Sequence, residues 1–295
     1  MFFVIAHGKD VDGIACHAIL HRYAKFSNLA IKHFFVSYSD FNDAIYQIEG
    51  EGEIVIADIG YNPSMNFEKI KQLSEKFKIT WIDHHIWPKI NLPINFIIDK
   101  KYCAAELVCK HFLPKDKIAI KLASLAHAHD FRKENPLAWK LYDVISSGFD
   151  KLKLTKLLAK GEFWNEELEK AWANYQKIKE EGYKFLERYH KVYNLGKYSC
   201  IIAFAPDTLS STLATLYLQE KGHDLIICLW KDGKMSFRRN NKEINLAELA
   251  KLFDGGGREV AAGGNLRREI KIEEVFEVFE EIAKKVEKAI YMHSL

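Results

Sequence analysis

Several absences narrow the class of this 295-residue chain before any motif is considered. No apolar run approaches membrane-spanning length, which argues against a transmembrane helix. Five cysteines, Cys16, Cys103, Cys109, Cys200 and Cys228, form no Cys-x-x-Cys pair and lie in apolar segments. They read as small buried hydrophobes, not as a zinc or disulfide framework. Residues 2–6 are apolar from the start, with no basic leader or small-residue cleavage site, so a cytoplasmic location is expected. Neither sign of charge dominates: 43 Lys and Arg stand against 40 Asp and Glu, a net +3. That balance is too even for a protein that coats duplex DNA through bulk charge, and an anionic partner would have to be drawn locally. No low-complexity tract or internal repeat is apparent.

What is present describes a soluble globular chain, 48% hydrophobic and 28% charged, long enough for two domains that each bury a core. Residues 2–6 form a fully apolar run, as in a parallel strand buried on both faces. It ends in His7-Gly8-Lys9-Asp10-Val11-Asp12-Gly13 and is followed by helical spacing over residues 14–26. Strand, polar glycine loop and helix in that order place side chains at the carboxyl edge of an open α/β sheet, where such folds bind ligands. The pattern recurs at residues 53–58, an apolar strand ending in Asp58, and at residues 79–85, ending in Asp83-His84-His85. His84 and His85 can share a pocket only if the strand stops there and the backbone turns. Three strands that alternate with helices and end in ligand-type residues argue a parallel sheet with its chemistry on one edge. A helix over residues 117–131 would bring Asp130, an acid set unfavourably at a helix C-terminus, to the same edge. His129 reads as a satisfied or solvated histidine. The pair His17 and His21, four apart on one helix, reads as a polar stripe before it reads as a second metal site.

Residues 164–195 are rich in Glu, Lys and Tyr and contain no proline, and the spacing predicts one long charged helix linking two domains. Strand patterns resume at Gly196. Lys231-Asp232-Gly233-Lys234 is a hairpin turn, and its return strand ends in Arg238-Arg239. Beyond it Gly255-Gly256-Gly257-Arg258 and Ala261-Ala262-Gly263-Gly264 resemble a loop that offers backbone N–H groups and an arginine to an anion. The last helix, residues 272–291, carries Phe276 and Phe279 at core spacing.

Asp10, Asp12, Asp58 and Asp130 beside Asp83 would crowd more negative charge into one cleft than Coulomb repulsion allows without cations. Two divalent ions supply the compensation, and a two-metal site that activates water is the usual machinery of phosphate-ester hydrolysis. In this set and order the residues resemble the DHH phosphoesterase family, in the DHH-DHHA1 branch that includes nano-RNases, single-strand exonucleases and cyclic-dinucleotide phosphodiesterases. The resemblance implies an α/β fold with a parallel-sheet metal-binding catalytic domain over 1–163, a helical connector over 164–195 and a smaller DHHA1-like substrate-binding domain over 196–295. It implies two cations, Mn2+ foremost and Mg2+ or Co2+ as alternatives, one held by His7, Asp10 and Asp58 and the other by Asp12, Asp58, His84 and Asp130. His85 would then face the substrate phosphate, Asp83 would orient a neighbouring histidine, and Arg238 with Gly255, Gly256, Gly257 and Arg258 would grip the nucleotide, the two domains clamping a short strand. Two residues depart from the family's pattern: His7 stands three residues before Asp10, where four is common, and Arg258 replaces a usual histidine.

The expected activity is manganese-dependent hydrolysis of short single-stranded RNA or DNA. Linear or cyclic dinucleotides and adenosine 3′,5′-bisphosphate are the alternative substrates, and family members are often homodimers. A non-catalytic nucleic-acid-binding subunit is the reading from another class, disfavoured because every metal acid remains.

Overall fold

The structure, a computed structural model, describes residues Met1–Tyr291. It separates into two compact units, Met1–Tyr175 and a second beginning at Gln176.

The first unit alternates strand and helix: β1 (Phe2–His7), α1 (Val11–Phe26), β2 (Ile31–Val36), α2 (Phe41–Tyr46), β3 (Gly52–Ala57), α3 (Phe67–Ser74), β4 (Phe77–Asp83) and β5 (Asn95–Ile98). Helices α4 (Ala104–Phe112), α5 (Lys117–Asp130), α6 (Pro136–Ser146) and α7 (Lys151–Lys160) follow. All the strand pairings are parallel, in the order β2-β1-β3-β4-β5. Phe3, Ile5, Ile54, Ile56, Ile79 and Trp81 pack one face of the sheet against α2 and α3. On the other side α1 packs against α4, α5 and α7. The strand order reverses between β1 and β3, and open α/β sheets bind ligands in the crevice beyond the carboxyl ends of their strands at that point.

Helix α8 (Glu166–Arg188) runs across the boundary between the units. The single helix expected over 164–195 stops at Arg188, and His190–Leu195 is instead a strand, β6. Its alternating Lys191, Val192, Tyr193 and Asn194 suit a sheet edge, and it pairs antiparallel with the buried β7 (Tyr198–Phe204) through a turn at Gly196, whose φ is 62°. Pairing with a distant apolar strand outweighs local helical propensity there, which composition alone does not disclose.

The second unit continues with α9 (Ser211–Gln219), β8 (Leu225–Leu229), β9 (Lys234–Arg239), α10 (Leu246–Lys251), β10 (Gly256–Arg258), β11 (Ala261–Asn265) and, after a turn of 3-10 helix, α11 (Val275–Tyr291). Its mixed sheet has the order β10-β11-β9-β8-β7-β6. The glycine-rich segment expected as a loop is thus an edge hairpin of that sheet. All five cysteines are buried and unpaired, and no helix among the described residues is long and apolar enough to cross a membrane.

Candidate metal centre

The carboxyl edge of the first sheet gathers the side chains singled out in the sequence. β1 ends at His7, and its Nδ1 lies 2.7 Å from Asp10 Oδ2 and 3.7 Å from Asp58 Oδ2. Asp10 also caps α1, its Oδ1 accepting from the Gly13 N–H at 3.0 Å. Capping and contact with His7 are therefore one carboxylate's two tasks. Gly13 permits this approach: a Cβ there would lie 2.0 Å from the His7 carbonyl oxygen.

Asp12 is buried in the first turn of α1, and the N-terminus of α4 holds it in place. Ala104 N–H donates to Oδ2 at 2.8 Å and Ala105 N–H to Oδ1 at 2.7 Å. Helix N-termini bind carboxylates in this way because their first amides lack intrahelical acceptors. Nothing at residues 104–105 signals the contact in sequence, since the partner is backbone.

Asp58 follows β3 with φ at 53°, a left-handed conformation uncommon for any residue but glycine, though more accessible to Asp and Asn. Its side chain is buried, and Oδ2 has no hydrogen-bond partner. Trp81 braces this turn from the core, its buried indole N–H donating to the carbonyl of Ile59 at 2.8 Å.

β4 stops at Asp83 and the backbone bends, so both histidine rings enter one pocket with centroids 4.5 Å apart. Asp83, fully buried, lies 2.8 Å from His85 Nδ1 and accepts from the His85 amide at 3.2 Å and the Trp87 indole at 2.7 Å. Around His84, Nε2 is 3.5 Å from Asp58 and 3.8 Å from Asp12, while Nδ1 is 3.6 Å from Asp130 at the end of α5. The ring thus has Asp12 and Asp58 on one edge and Asp130 on the other.

Two sets of ligand-type atoms lie within 4.8 Å of one another, His7-Asp10-Asp58 and Asp58-Asp83-His84-His85, with Asp58 in both. Protonation responds to this crowding. Burial and the charge on Asp58 push Asp12 well above the usual carboxylate range. Burial also raises Asp130, though its neighbour His84 opposes the shift. His84, despite burial, is lifted to about 9 by Asp58, Asp12 and Asp130, and His7 is raised against burial by Asp10. Asp83 moves the other way, since His85 and Trp87 outweigh its desolvation. An unsatisfied buried carboxylate oxygen on Asp58 and a donor set of imidazole and carboxylate fit divalent metals of the manganese, iron, cobalt and zinc type.

Two histidine readings change. His129 is neither solvated nor fully satisfied: it is buried between Trp139 and Tyr142, with Nε2 unpartnered. His17 and His21 do not form an exposed polar stripe: His17 is buried, and the two flank His33 of β2, at 3.0 Å from its Nδ1 and Nε2 respectively.

In the second unit, Arg238 and Arg258 are both in register with Ala261, which lies on the strand between them. Directly paired residues share a face, so the two arginines flank a small side chain about 10 Å apart. Arg258 is exposed. The glycines have packing reasons of their own: a Cβ on Gly255 would lie 1.9 Å from the Gly263 carbonyl oxygen and one on Gly257 2.5 Å from Ala262 Cα, while Gly256 faces open space.

Comparison with known proteins follows the same division. Residues 1–133 match the N-terminal domain of the DHH family and residues 198–285 the DHHA1 domain. No curated protein sequence matches. Among solved structures, the pGpG-specific phosphodiesterase PggH from Vibrio cholerae is 14% identical with a TM-score of 0.61, covering 97% of this chain and 99% of that one. An exopolyphosphatase-related protein from Bacteroides fragilis is 16% identical (TM-score 0.61, 98% and 93% covered), and a manganese-bound exonuclease RecJ is 16% identical (TM-score 0.64, 97% and 90% covered). At these identities the likeness is one of fold. Both domain models match in order along one chain, and this protein belongs to the DHH-DHHA1 branch of the DHH family of metal-dependent phosphoesterases.

Proposed function

We propose that the protein is a manganese-dependent phosphodiesterase that removes nucleotides from short single-stranded RNA or DNA. The observation that carries this reading is the convergence of His7, Asp10, Asp12, Asp58, His84 and Asp130 on one strand edge, with Asp58 common to both ligand groups. One ion would be held by His7, Asp10 and Asp58, and the other by Asp12, Asp58 and His84 with Asp130. When bound, the two cations supply charge neutralisation and Lewis acidity toward a phosphoryl oxygen.

The chain's own groups do the rest. Asp83 fixes His85 through Nδ1 and leaves Nε2 to meet a phosphate oxygen, and it raises the basicity of that ring. Lys151 adds local positive charge. Its Nζ would lie 3.3 Å from a Cβ on Gly8, next to His7, and it makes no ion pair among the described residues. Burial and the like charge of Lys9 lower its pKa, against the opposing charge of Asp40. In the second unit Arg238 and Arg258, with the backbone of Gly255, Gly256 and Gly257, would contact the nucleotide.

A second reading, hydrolysis of linear dinucleotides, is favoured by the match over 99% of a pGpG-specific phosphodiesterase, a chain of similar extent. Purified protein with Mn2+ should be assayed on ribo- and deoxyribo-oligomers of two to seven residues, a cyclic dinucleotide and adenosine 3′,5′-bisphosphate. Comparable cleavage along the linear series supports the first reading, and activity confined to the dimer supports the second. Preference for the cyclic compound or the bisphosphate over every linear substrate rejects both.

A further inference from the structure

Tyr38 lies two residues beyond β2, and 40% of it is exposed, yet its hydroxyl is anchored. The Gly60 N–H donates to Oη at 3.3 Å. Gly60 is two residues past Asp58, and its bare α-carbon makes the approach feasible. A Cβ there would lie 2.8 Å from His85 Cβ, 2.9 Å from His85 Cγ and 3.0 Å from Tyr38 Oη. The phenol oxygen, the Gly60 amide and the His85 ring therefore surround one spot at the edge of the metal centre.

Hydrogen-bond accounting gives the spot a use. A tyrosine hydroxyl has one hydrogen and two acceptor lone pairs. Gly60 occupies one lone pair, and among the described residues nothing accepts the hydrogen. We propose that the Tyr38 hydroxyl donates to a non-bridging oxygen of the scissile phosphate beside His85, as a phosphate-binding residue of the reaction. The assignment rests on the phosphodiesterase reading above. Burial of the hydroxyl and the nearby charges of Asp83 and Asp58 raise its pKa to about 12, so the proton stays in place at neutral pH. The ring stays partly open to solvent because it borders the cleft that the phosphate enters.

Tyr38 has a competing structural role, holding the turn that carries Asp58. Tyr38→Phe keeps the ring and removes the hydroxyl, and Mn2+ titration of the metal-free protein reads the turn directly. The expected result is Mn2+ affinity within about twofold of wild type and kcat/KM on a linear dinucleotide lower by about tenfold, the worth of one lost hydrogen bond to a charged group. The Rp and Sp phosphorothioate dinucleotides, each with sulfur at one non-bridging position, supply the second readout. Sulfur accepts hydrogen bonds poorly, so the substitution should cost its tenfold on the oxygen substrate and on one diastereomer, and almost nothing on the other. Equal losses on all three substrates, a loss matched by weakened Mn2+ binding, or no loss would each overturn the assignment while leaving the phosphodiesterase reading intact. Failure of the wild-type protein to cleave any phosphodiester would overturn both.

Discussion

Trp81→Phe tests how the core sets the geometry of the metal centre. Trp81 is fully buried, packed against Phe41, Trp87 and Phe96, and touches none of the ligand-type side chains through its polar atom. Its indole N–H is the hydrogen-bond donor to the Ile59 carbonyl, one residue past Asp58. Phenylalanine removes that donor and leaves a buried carbonyl unpaired, at a cost of about 1–3 kcal/mol. The smaller ring also vacates roughly 40 Å3, which at about 24 cal/mol per Å3 adds about 1 kcal/mol. Together these lower the melting temperature by roughly 5–12 °C in a unit of this size. The second consequence is functional. Asp58 holds a left-handed conformation that the surrounding structure must enforce, and loosening Ile59 relaxes it. Mn2+ affinity should fall by about 10-fold, as when an outer-sphere partner of a metal ligand is removed. Thermal melting followed by circular dichroism and calorimetric Mn2+ titration are the two assays. A variant that melts normally would show that the Ile59 bond contributes nothing, and one that melts early but binds Mn2+ normally would show that Asp58 is held by other contacts.

Three further predictions follow from particular residues. Asp58→Asn is nearly isosteric, and asparagine tolerates the same positive φ, so the protein should keep its circular dichroism spectrum while Mn2+-dependent hydrolysis falls by more than about 100-fold; retained activity would remove Asp58 as the bridging ligand. Arg258→Ala removes an exposed side chain, so the melting temperature should not move while KM for a dinucleotide rises about 10-fold, measured by initial rates. Acid should destabilise the fold through His33. Burial pulls its pKa down to about 3, so its contribution is intact above the unfolded value near 6.5 and is lost as pH falls from there toward 3. Urea midpoints between pH 7 and pH 4.5 should therefore decline less steeply for His33→Phe than for wild type, and parallel slopes would refute the assignment.

Much of the catalytic unit was legible in the chain. The apolar runs before His7, Asp58 and Asp83 read as strands buried on both faces, and parallel strands of that kind need helical crossovers that leave all carboxyl ends on one edge. That rule alone carries Asp10, Asp12, Asp58 and His84 toward one another. The helical reading of residues 164–195 failed at His190–Leu195 because a charged edge strand and a solvated helix face have the same composition, and pairing with β7 decides between them.

The sequence by itself determined which groups could bear chemistry and that several carboxylates and histidines share one strand edge, since residue type and strand periodicity are local properties. Only the tertiary structure decided how each is held: Asp12 by the amides of α4, Asp58 by a turn braced from Trp81, His85 by Asp83 and Trp87, and Arg238 beside Arg258 across Ala261. Those partners are backbone groups or residues far along the chain, and only the closing of the sheet and the packing of its helices bring them within hydrogen-bonding distance.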